Sequence, residues 1–293
     1  MPLPLVAANA LRVLCRTLPQ LRSALACDVR EVYADFQDIR RYREAVAVAH
    51  AANAAIWLAT PRIQKPDEMG IFHALAKYQA NGILIRNFGG LQFYAHRSVP
   101  MIGDFSLNVT NELTADYFMQ RGLSRVTASY DLNREQMLDL VAAVPAEWLE
   151  IVIHQHMPMF HMEHCVFCAV LSPGTNKTNC GRPCDEHSVK LRDRIGMEHV
   201  LTADVGCRNT LFNAVPQSAA ELVPTLLQRG VRNFRIELLE ESAEEIAKIV
   251  LLYRRLLAGE VTGHEVWTEL RAANRIGVTR GTLEERRNPL AIL

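Results

Sequence analysis

The amino-acid sequence predicts an α/β protein that folds as a (β/α)8 barrel of the TIM type, with a cysteine-rich insertion after the seventh strand. Three observations predict this fold. Eight apolar segments alternate with stretches of helical periodicity, the apolar segments end in polar residues, and cysteines concentrate between the seventh and eighth segments. Strands of a parallel barrel are buried on both faces, so they form near-continuous apolar runs. A doubly wound open sheet is the alternative, and the lack of a convincing GxGxxG motif after the first strand weakens a dinucleotide-binding interpretation.

The first half of the chain supplies four of the predicted strands. Their sequences are LRVLCRTL, EVYADF, AIWLATP and GILIRN, at residues 11–18, 31–36, 55–61 and 82–87. Helices are predicted between them at residues 20–26, 40–53 and 66–79, and in the second of these apolar residues recur at helical spacing. The stretch GGLQFYAH after the fourth strand is predicted to be a short connection.

The second half continues the alternation. Strands are predicted at residues 100–108, 125–131, 149–155 and 232–238. Helices are predicted at residues 111–121, from Asn133 onward, at 218–229 and at 242–258. Gly122 and Gly259 end two of these helices, and Ser242 with Glu245 forms a capping box at the start of the last.

Length and composition indicate an ordinary globular protein. The chain has 293 residues, of which 49% are hydrophobic and 22% charged, and its formal net charge is zero. We expect the barrel to occupy residues 10–260, its cysteine-rich segment 154–207, and a tail of unassigned structure 261–293. No apolar run is long enough to span a membrane. Zero net charge gives no overall nucleic-acid signature, although a local basic rim would not appear in the total.

Polar residues stand where the predicted strands end, which is the catalytic face of such barrels. An arginine that ends an apolar strand needs an anionic partner, so Arg86 and Arg235 each predict a buried ion pair or an acidic ligand. Glu237 lies two residues from Arg235, so both can share one strand face. Asp104 is the fourth candidate in this group. Helix capping and loop hydrogen bonds are the alternative for these polar positions. The other strand-end residues are Arg16, Thr17, Asp35, Thr60, Arg62, Asn87, Ser106, Asn108, Ser129 and Asp131.

Two histidines follow the seventh strand at alternate positions. His154 and His156 share one strand face, and they are the candidates for acid–base catalysis. Metal ligation and structural hydrogen bonding are the alternatives. His161 and His164 lie close to the cysteines in sequence and could replace a thiolate as ligand.

Five of the seven cysteines fall between His154 and Cys207. Cys165 and Cys168 are spaced C-x2-C, Cys180 and Cys184 are spaced C-x3-C, and Cys207 follows. Paired short spacings joined by a Gly- and Asn-containing loop are typical of metal sites, and they fit either zinc or a [4Fe-4S] cluster. Disulfide or redox chemistry and plain packing are the alternatives. No targeting segment is evident and the cysteines do not suggest disulfide pairs, so we expect a reducing cytoplasm.

The stretch from His154 to Cys207, followed by FRIELLEESAEEIAKIVLLYRRLLAG, resembles peptidase family U-32, the collagenase-like peptidases. The shared marks are a strand ending in histidine, a cysteine-bearing segment closing on Leu-Ser, a C-x3-C pair, and a late F-[KR]-[IV]-E strand followed by a helix with Tyr-Arg. The stretches LRVLCRTL, VYADF, LATPRIQKP, RNFGGLQF and GDFSLNV are also similar. The resemblance covers about residues 10–260 and is to the barrel portion of longer, multidomain members.

The resemblance implies a TIM-type barrel and a [4Fe-4S] cluster, as in members that hydroxylate RNA bases or quinone precursors. By motif, Cys165, Cys180 and Cys184 correspond to family cysteines, and Cys207 corresponds loosely. Many members carry their first cysteine near the position of Pro158, and Cys168 would replace it. Five candidates for four ligand positions leave one thiol spare.

Three functional hypotheses follow. The first is an iron–sulfur enzyme that hydroxylates RNA or a small aromatic substrate. The second is a collagenase-like, metal-dependent peptidase acting on peptides. The third is a non-catalytic module with a structural metal site, such as zinc, in an assembly with further domains of a longer chain. No membrane partner is expected.

Overall fold

The computed structural model describes residues 8–273 and 278–284. Its strands are β1 (Ala10–Cys15), β2 (Glu31–Ala34), β3 (Ala55–Ala59), β4 (Gly82–Ile85), β5 (Met101–Gly103), β6 (Leu123–Thr127), β7 (Leu149–Met162), β8 (Val189–Arg192), β9 (Glu198–Ala203), β10 (Asn209–Ser218) and β11 (Asn233–Glu237). Strands β1 to β7 pair in parallel in sequence order, and β11 pairs in parallel with both β1 and β7. These eight strands close a barrel, which confirms the predicted TIM-type barrel.

Helices surround the barrel and pack their apolar faces on it. They are α1 (Leu18–Ala26), α2 (Arg41–Ala51), α3 (Met69–Lys77), α4 (Phe88–Tyr94), α5 (Glu112–Met119), α6 (Arg134–Ala143), α7 (Val166–Leu171), α8 (Val223–Gln228), α9 (Ala243–Leu257) and α10 (Gly263–Ala273). In α9, Ser242 and Glu245 form the predicted capping box. No helix in the described ranges is long and apolar enough to cross a bilayer.

The interior of the barrel is apolar on one side. Alternate residues of β1 to β5 form a small cluster separate from the main core: Leu14, Tyr33, Trp57, Ala59, Leu84 and Ile102. Their neighbours in sequence, such as Val13 and Ile56, belong instead to the large cluster beneath the helices. Because successive strand residues point to opposite faces, the small cluster occupies the inside of the barrel. Charged groups fill the remainder.

Several predicted boundaries were wrong. Strand β1 ends at Cys15 rather than residue 18, because Thr17 caps α1 and accepts a hydrogen bond from the Gln20 amide. Strand β5 ends at Gly103, where Asp104 caps a short 3-10 turn over Phe105–Leu107. The stretch predicted as a short connection after β4 forms α4, with Asn87 as its N-cap.

The segment between β7 and α8 differs most from expectation. Strand β7 runs to Met162, seven residues beyond its predicted end, and continues as an antiparallel sheet in the order β7-β10-β9-β8. The predicted helix at 218–229 begins only at Val223, because Ser218 is the last residue of β10. We call residues 156–217 the extension; it includes α7 and a 3-10 turn at Pro183–Asp185.

The predicted tail, residues 261–293, is partly described. Helix α10 lies here, and its residues Val266 and Leu270 join the main core. Thr279 pairs with Gln217 of β10 through an isolated bridge. Residues 274–277 and 285–293 of the predicted tail lie outside the described residues.

Candidate active site at the mouth of the barrel

A cavity of about 1080 Å³ opens between the carboxyl ends of the barrel strands and the extension. The barrel contributes charged and aromatic side chains to its walls: Arg16, Asp35, Arg62, Arg86, Phe105 and Glu237. The extension contributes a second group: His161, Cys184, Thr202, Asp204, Thr210 and Phe212. The carboxyl ends of barrel strands are where catalytic sites of this architecture lie, so this cavity is the candidate active site.

Arg86 anchors the floor of the cavity. Its Nε donates to Asp104 Oδ2 at 2.7 Å, and a second guanidinium nitrogen donates to Asp35 Oδ1, also at 2.7 Å. Asp104 is fully buried and Arg86 nearly so. Burial alone would raise the pKa of Asp104, but the guanidinium groups of Arg235 and Arg86 lower it below its ordinary value. Both carboxylates are therefore held ionised against Arg86.

Arg235 forms a second layer directly beneath. One of its nitrogens lies 2.5 Å from Asp104 Oδ1 and 3.1 Å from Glu237 Oε1, and another lies 3.3 Å from Glu150 Oε1. Tyr130 donates its hydroxyl to Glu237 Oε1 at 2.6 Å. Burial and the Glu237 carboxylate raise the pKa of Tyr130 far above its usual range, so this hydroxyl keeps its proton.

A third layer lies at the amino-terminal side of the barrel. Glu150 is fully buried and accepts from the Tyr33 hydroxyl at 2.7 Å. Arg125 Nε lies 3.3 Å from Glu150, and Arg12 Nε lies 2.7 Å from Glu31. Each buried guanidinium in the three layers thus faces at least one carboxylate. The network compensates its own charges and gives the cavity a rigid polar floor.

A stack of three flat groups lies at one side of the cavity. The Phe105 and Tyr130 rings are nearly parallel, with an interplanar angle of 6° and centroids 3.9 Å apart. The Arg62 guanidinium lies over the other face of Phe105, 4.9 Å from its centroid. Across the cavity, Arg16 lies 4.7 Å from the centroid of Phe212. Flat surfaces of this kind suit an aromatic or heterocyclic ligand.

His154 and His156 do not line the cavity. His154 is buried against Tyr253, whose hydroxyl lies 3.5 Å from its Nδ1, and burial lowers the pKa of His154 to about 4. His156 donates from Nδ1 to the Asn213 carbonyl at 2.8 Å, and its Nε2 lies 3.5 Å from Glu241. Glu241 does line the cavity, so His156 acts on it only through that carboxylate.

Two residues of the extension that line the cavity have buried side-chain atoms without a partner among the described residues. His161 Nδ1 lies 2.9 Å from the Thr210 hydroxyl, whereas its Nε2 is one of these atoms. Desolvation, and next the positive charge of Arg62, lower the pKa of His161 to about 4. Asp204 Oδ2 is the other such atom, and burial raises the pKa of Asp204 to about 6.

The five clustered cysteines are all free thiols, and Cys184 is one of the residues that line the cavity. Desolvation raises the pKa of Cys168, and Cys180 and Cys165 raise it further. Burial raises the pKa of Cys184 to about 11, with contributions from Cys207 and Cys165. Each thiol therefore lies within electrostatic range of at least one other. Within residues 8–273 and 278–284, no group of three or more His, Cys, Asp or Glu side chains could hold one metal ion.

The predicted site residues fall into three places. Arg86, Asp104, Arg235 and Glu237 share one network of hydrogen bonds and ion pairs, the five cysteines form a second group, and His154 and His156, both within β7, lie apart from these. Sequence reasoning missed Glu150, because a glutamate beside the start of a strand looks solvent-exposed. It also missed Asp204 and Phe212, because their strands were not predicted.

Comparison with known proteins identifies the family of this chain. Residues 22–287 match the family described as peptidase family U32. Two curated proteins of Helicobacter pylori are both named tRNA hydroxylation protein P. That of strain ATCC 700392 / 26695 is 21% identical over 229 residues, and that of strain J99 / ATCC 700824 is 20% identical over 227.

Coverage of these relatives is partial. Each alignment includes 74% of this chain and 54% of the relative, so the chain spans about half the length of the curated relatives it matches. A solved structure, the U32 peptidase Mk0906, is similar with a TM-score of 0.43 and 12% identity, over 55% of this chain and 74% of that one. Since the family match extends over most of the sequence, the chain belongs to peptidase family U32.

Proposed function

We propose that this chain carries the active site of an iron–sulfur-dependent enzyme that hydroxylates RNA. The observation that carries the proposal is that Cys184 belongs both to the group of five thiols and to the wall of a cavity with flat, polar surfaces. The name of the two Helicobacter pylori relatives supports RNA as the substrate class. The chain spans only about half of each relative, so the proposal concerns the site and leaves further domains of a longer chain as partners.

The donor set fits an iron–sulfur cluster. Cys165, Cys168, Cys180, Cys184 and Cys207 would supply its thiolates, with one of the five left over. Zinc takes its ligands around a single atom, whereas a cluster of several irons takes each thiolate at a different iron. The two short Cys spacings and the family of this chain support the cluster. When bound, such a cluster supplies one-electron transfer.

The residues of the barrel would bind and orient the substrate. Arg86 and Glu237 line the cavity and can hydrogen-bond to a bound substrate. Asp104 and Arg235 lie beneath them and fix the positions of their side chains. The stack that ends in Arg62 offers a flat surface for a base. His156 would influence a bound substrate only through Glu241, which lines the cavity. His154 would help to fix the last residues of β7 that belong to the barrel, where Tyr253 donates to the Ile153 carbonyl.

The test begins with protein purified without oxygen. We expect about four irons with matching acid-labile sulfide and a broad visible absorbance. A Cys180→Ser/Cys184→Ser variant should lose iron, whereas Cys27→Ser, a half-buried thiol far from the group, should keep it. Transfer RNA from cells lacking the gene should lose a mass of one oxygen at a modified base, and the wild-type gene should restore it. One zinc without sulfide would contradict the cluster, and unchanged RNA would contradict the substrate.

The alternative is a collagenase-like, metal-dependent peptidase, which the family description of this chain suggests. Its substrates would be peptides rather than RNA. Collagen-like peptides incubated with the same preparation should stay intact.

A further inference from the structure

The guanidinium group of Arg62 is the starting point, because it lines the cavity without an acidic partner. It lies over Phe105, and Phe105 is stacked on Tyr130. Among the residues that the structure describes, Arg62 forms neither a hydrogen bond nor an ion pair. The nearby carboxylates of Asp35 and Asp104 are both already bonded to Arg86.

The arginines of the cavity floor differ from Arg62, because they do have acidic partners. Desolvation opposes the charge of Arg86 and Arg235, but close carboxylates reverse the effect and raise the pKa of each well above its ordinary value. For Arg62, desolvation comes first and Arg86 adds repulsion, so its pKa is lowered. A desolvated guanidinium without an anion is unfavourable, and a bound anion would remove the imbalance.

His161 lines the same cavity. Its Nδ1 lies 2.9 Å from the Thr210 hydroxyl, and its Nε2 is buried without a partner among the described residues. Desolvation, and next the positive charge of Arg62, lower the pKa of His161, so the imidazole is neutral and adds no positive charge to this wall.

We propose that Arg62 forms an oxyanion-binding subsite of the cavity, which takes one phosphate or carboxylate group of the ligand. The subsite suits a single oxyanion because the neighbouring arginines Arg86 and Arg235 are already paired with the carboxylates of Asp35, Asp104 and Glu237. One face of the Arg62 guanidinium lies on the stack of Phe105 and Tyr130. Its edge is available to hydrogen-bond the anion, and its other face is available to cover a planar group. That the oxyanion is an RNA phosphate rests on the proposed function, whereas the subsite itself does not.

The test measures binding by the anaerobically purified full chain, without turnover. Calorimetric titrations with the four ribonucleoside 5′-monophosphates and the matching nucleosides isolate the contribution of the phosphate, and benzoate against benzyl alcohol isolates that of a carboxylate. The variants are Arg62→Gln and Arg62→Lys, the latter keeping the charge but losing the planar fork. Arg97→Gln is the matched control, because Arg97 lies 4.1 Å over the Phe93 ring on the outer surface. Iron content and thermal midpoint check that each variant is folded.

We expect the monophosphates to bind on the order of tenfold more tightly than the nucleosides, with that difference lost in Arg62→Gln, reduced in Arg62→Lys and kept in Arg97→Gln. Arg62-dependent binding of benzoate but of no monophosphate would support the subsite with a small carboxylate as its ligand. Equal affinity of wild type and Arg62→Gln for every anion, or no anion binding by the wild type, would overturn it. These titrations measure binding and not RNA modification. If binding depends on Arg62 while the cellular test finds the RNA unchanged, the proposed function has failed and the subsite stands.

Discussion

Asp104 is the residue on which two buried arginines depend. It accepts from Arg86 and from Arg235, and its own exposure is 0%. Asp104→Asn keeps the shape but removes the negative charge, leaving guanidinium charge uncompensated in the interior. We expect the free energy of unfolding to fall by about 3–5 kcal/mol, the usual cost of breaking a buried ion pair by removing one partner. Urea denaturation measures the loss.

Asp28→Asn is the matched control for this substitution. Asp28 also pairs with an arginine, Arg30, but the two side chains are 68% and 64% exposed and water screens the pair. The expected loss there is below about 1 kcal/mol. A loss for Asp104→Asn no larger than that of the control would contradict the network described here.

His154 links stability to pH. Burial lowers its pKa from 6.5 to about 4, so the unfolded chain takes up the proton first as the pH falls. Stability contributed by the neutral, buried ring is therefore complete above pH 6.5 and decreases until the pH reaches about 4. The shift corresponds to about 3 kcal/mol. Urea denaturation between pH 7 and pH 4 should show this loss in the wild type.

A glutamine in place of His154 removes the titrating group but retains a polar side chain near Tyr253. The His154→Gln variant should lose about 3 kcal/mol less than the wild type between pH 7 and pH 4. His96→Gln replaces an exposed histidine and should follow the wild-type curve. Parallel curves of unfolding free energy against pH for His154→Gln and wild type would mean that the His154 ring titrates alike in the folded and unfolded states, which would contradict the prediction.

At the scale of elements, helix α7 depends on a residue outside itself. Its N-cap is Cys165, which makes no capping hydrogen bond through its side chain. Asn209 of β10 takes that role, since its Oδ1 accepts from the Val166 amide at 2.7 Å and the residue is fully buried. Loss of a helix cap costs about 1 kcal/mol. Asn209→Ala should therefore speed amide hydrogen exchange in α7 by about fivefold and leave the barrel strands unchanged.

The control for α7 is Asn87→Ala, which removes an equivalent amide cap from α4, where Asn87 Oδ1 accepts from the Gly90 amide at 2.7 Å. Faster exchange should then appear in α4 and not in α7. Mass spectrometry of exchanged peptides separates the two helices. Unchanged exchange in α7 of Asn209→Ala would mean that packing on Phe167 is enough to hold it.

The elements also show which features a sequence reveals. Helix starts were accurate where a cap is local, as at Ser242 and Asn133, because the signal lies within four residues. Strands β8 to β10 were missed because their polar residues hide the alternation of apolar and polar positions. Strand-end position was enough to predict Arg86 and Asp104, since it follows from the barrel.

Partners that are distant in the sequence could not be predicted in this way. Glu150 meets Arg235 only after β7 and β11 pair, and Asp204 reaches the cavity only through the antiparallel extension. In the same way, the sequence predicted that Arg86 and Arg235 need anionic partners. It did not show that Arg62 differs from them in having no ion-pair partner among the described residues. Such differences depend on three-dimensional neighbours rather than on residue type.

At the scale of the whole molecule, charge is balanced both overall and locally. The chain has 32 basic and 32 acidic residues, and the arginines of the barrel floor are matched by carboxylates. A net charge of zero supplies no overall attraction to the phosphate backbone of RNA, which is the source of strong, sequence-independent binding. If RNA is the substrate, as we propose, we expect its recognition by this chain to rely on the cavity and on few phosphate contacts.

The salt dependence of RNA binding tests this view of the molecule. Each phosphate contact on single-stranded RNA contributes about −0.7 to the slope of log K against log salt. With Arg62 as the principal phosphate contact, we expect a short single-stranded RNA to bind with a slope near −1, measured by fluorescence anisotropy. Arg62→Gln should bring the slope close to zero, and Arg97→Gln should not change it. A wild-type slope steeper than about −4 would reveal a basic surface that engages many phosphates, and the cavity would then not be the principal electrostatic contact.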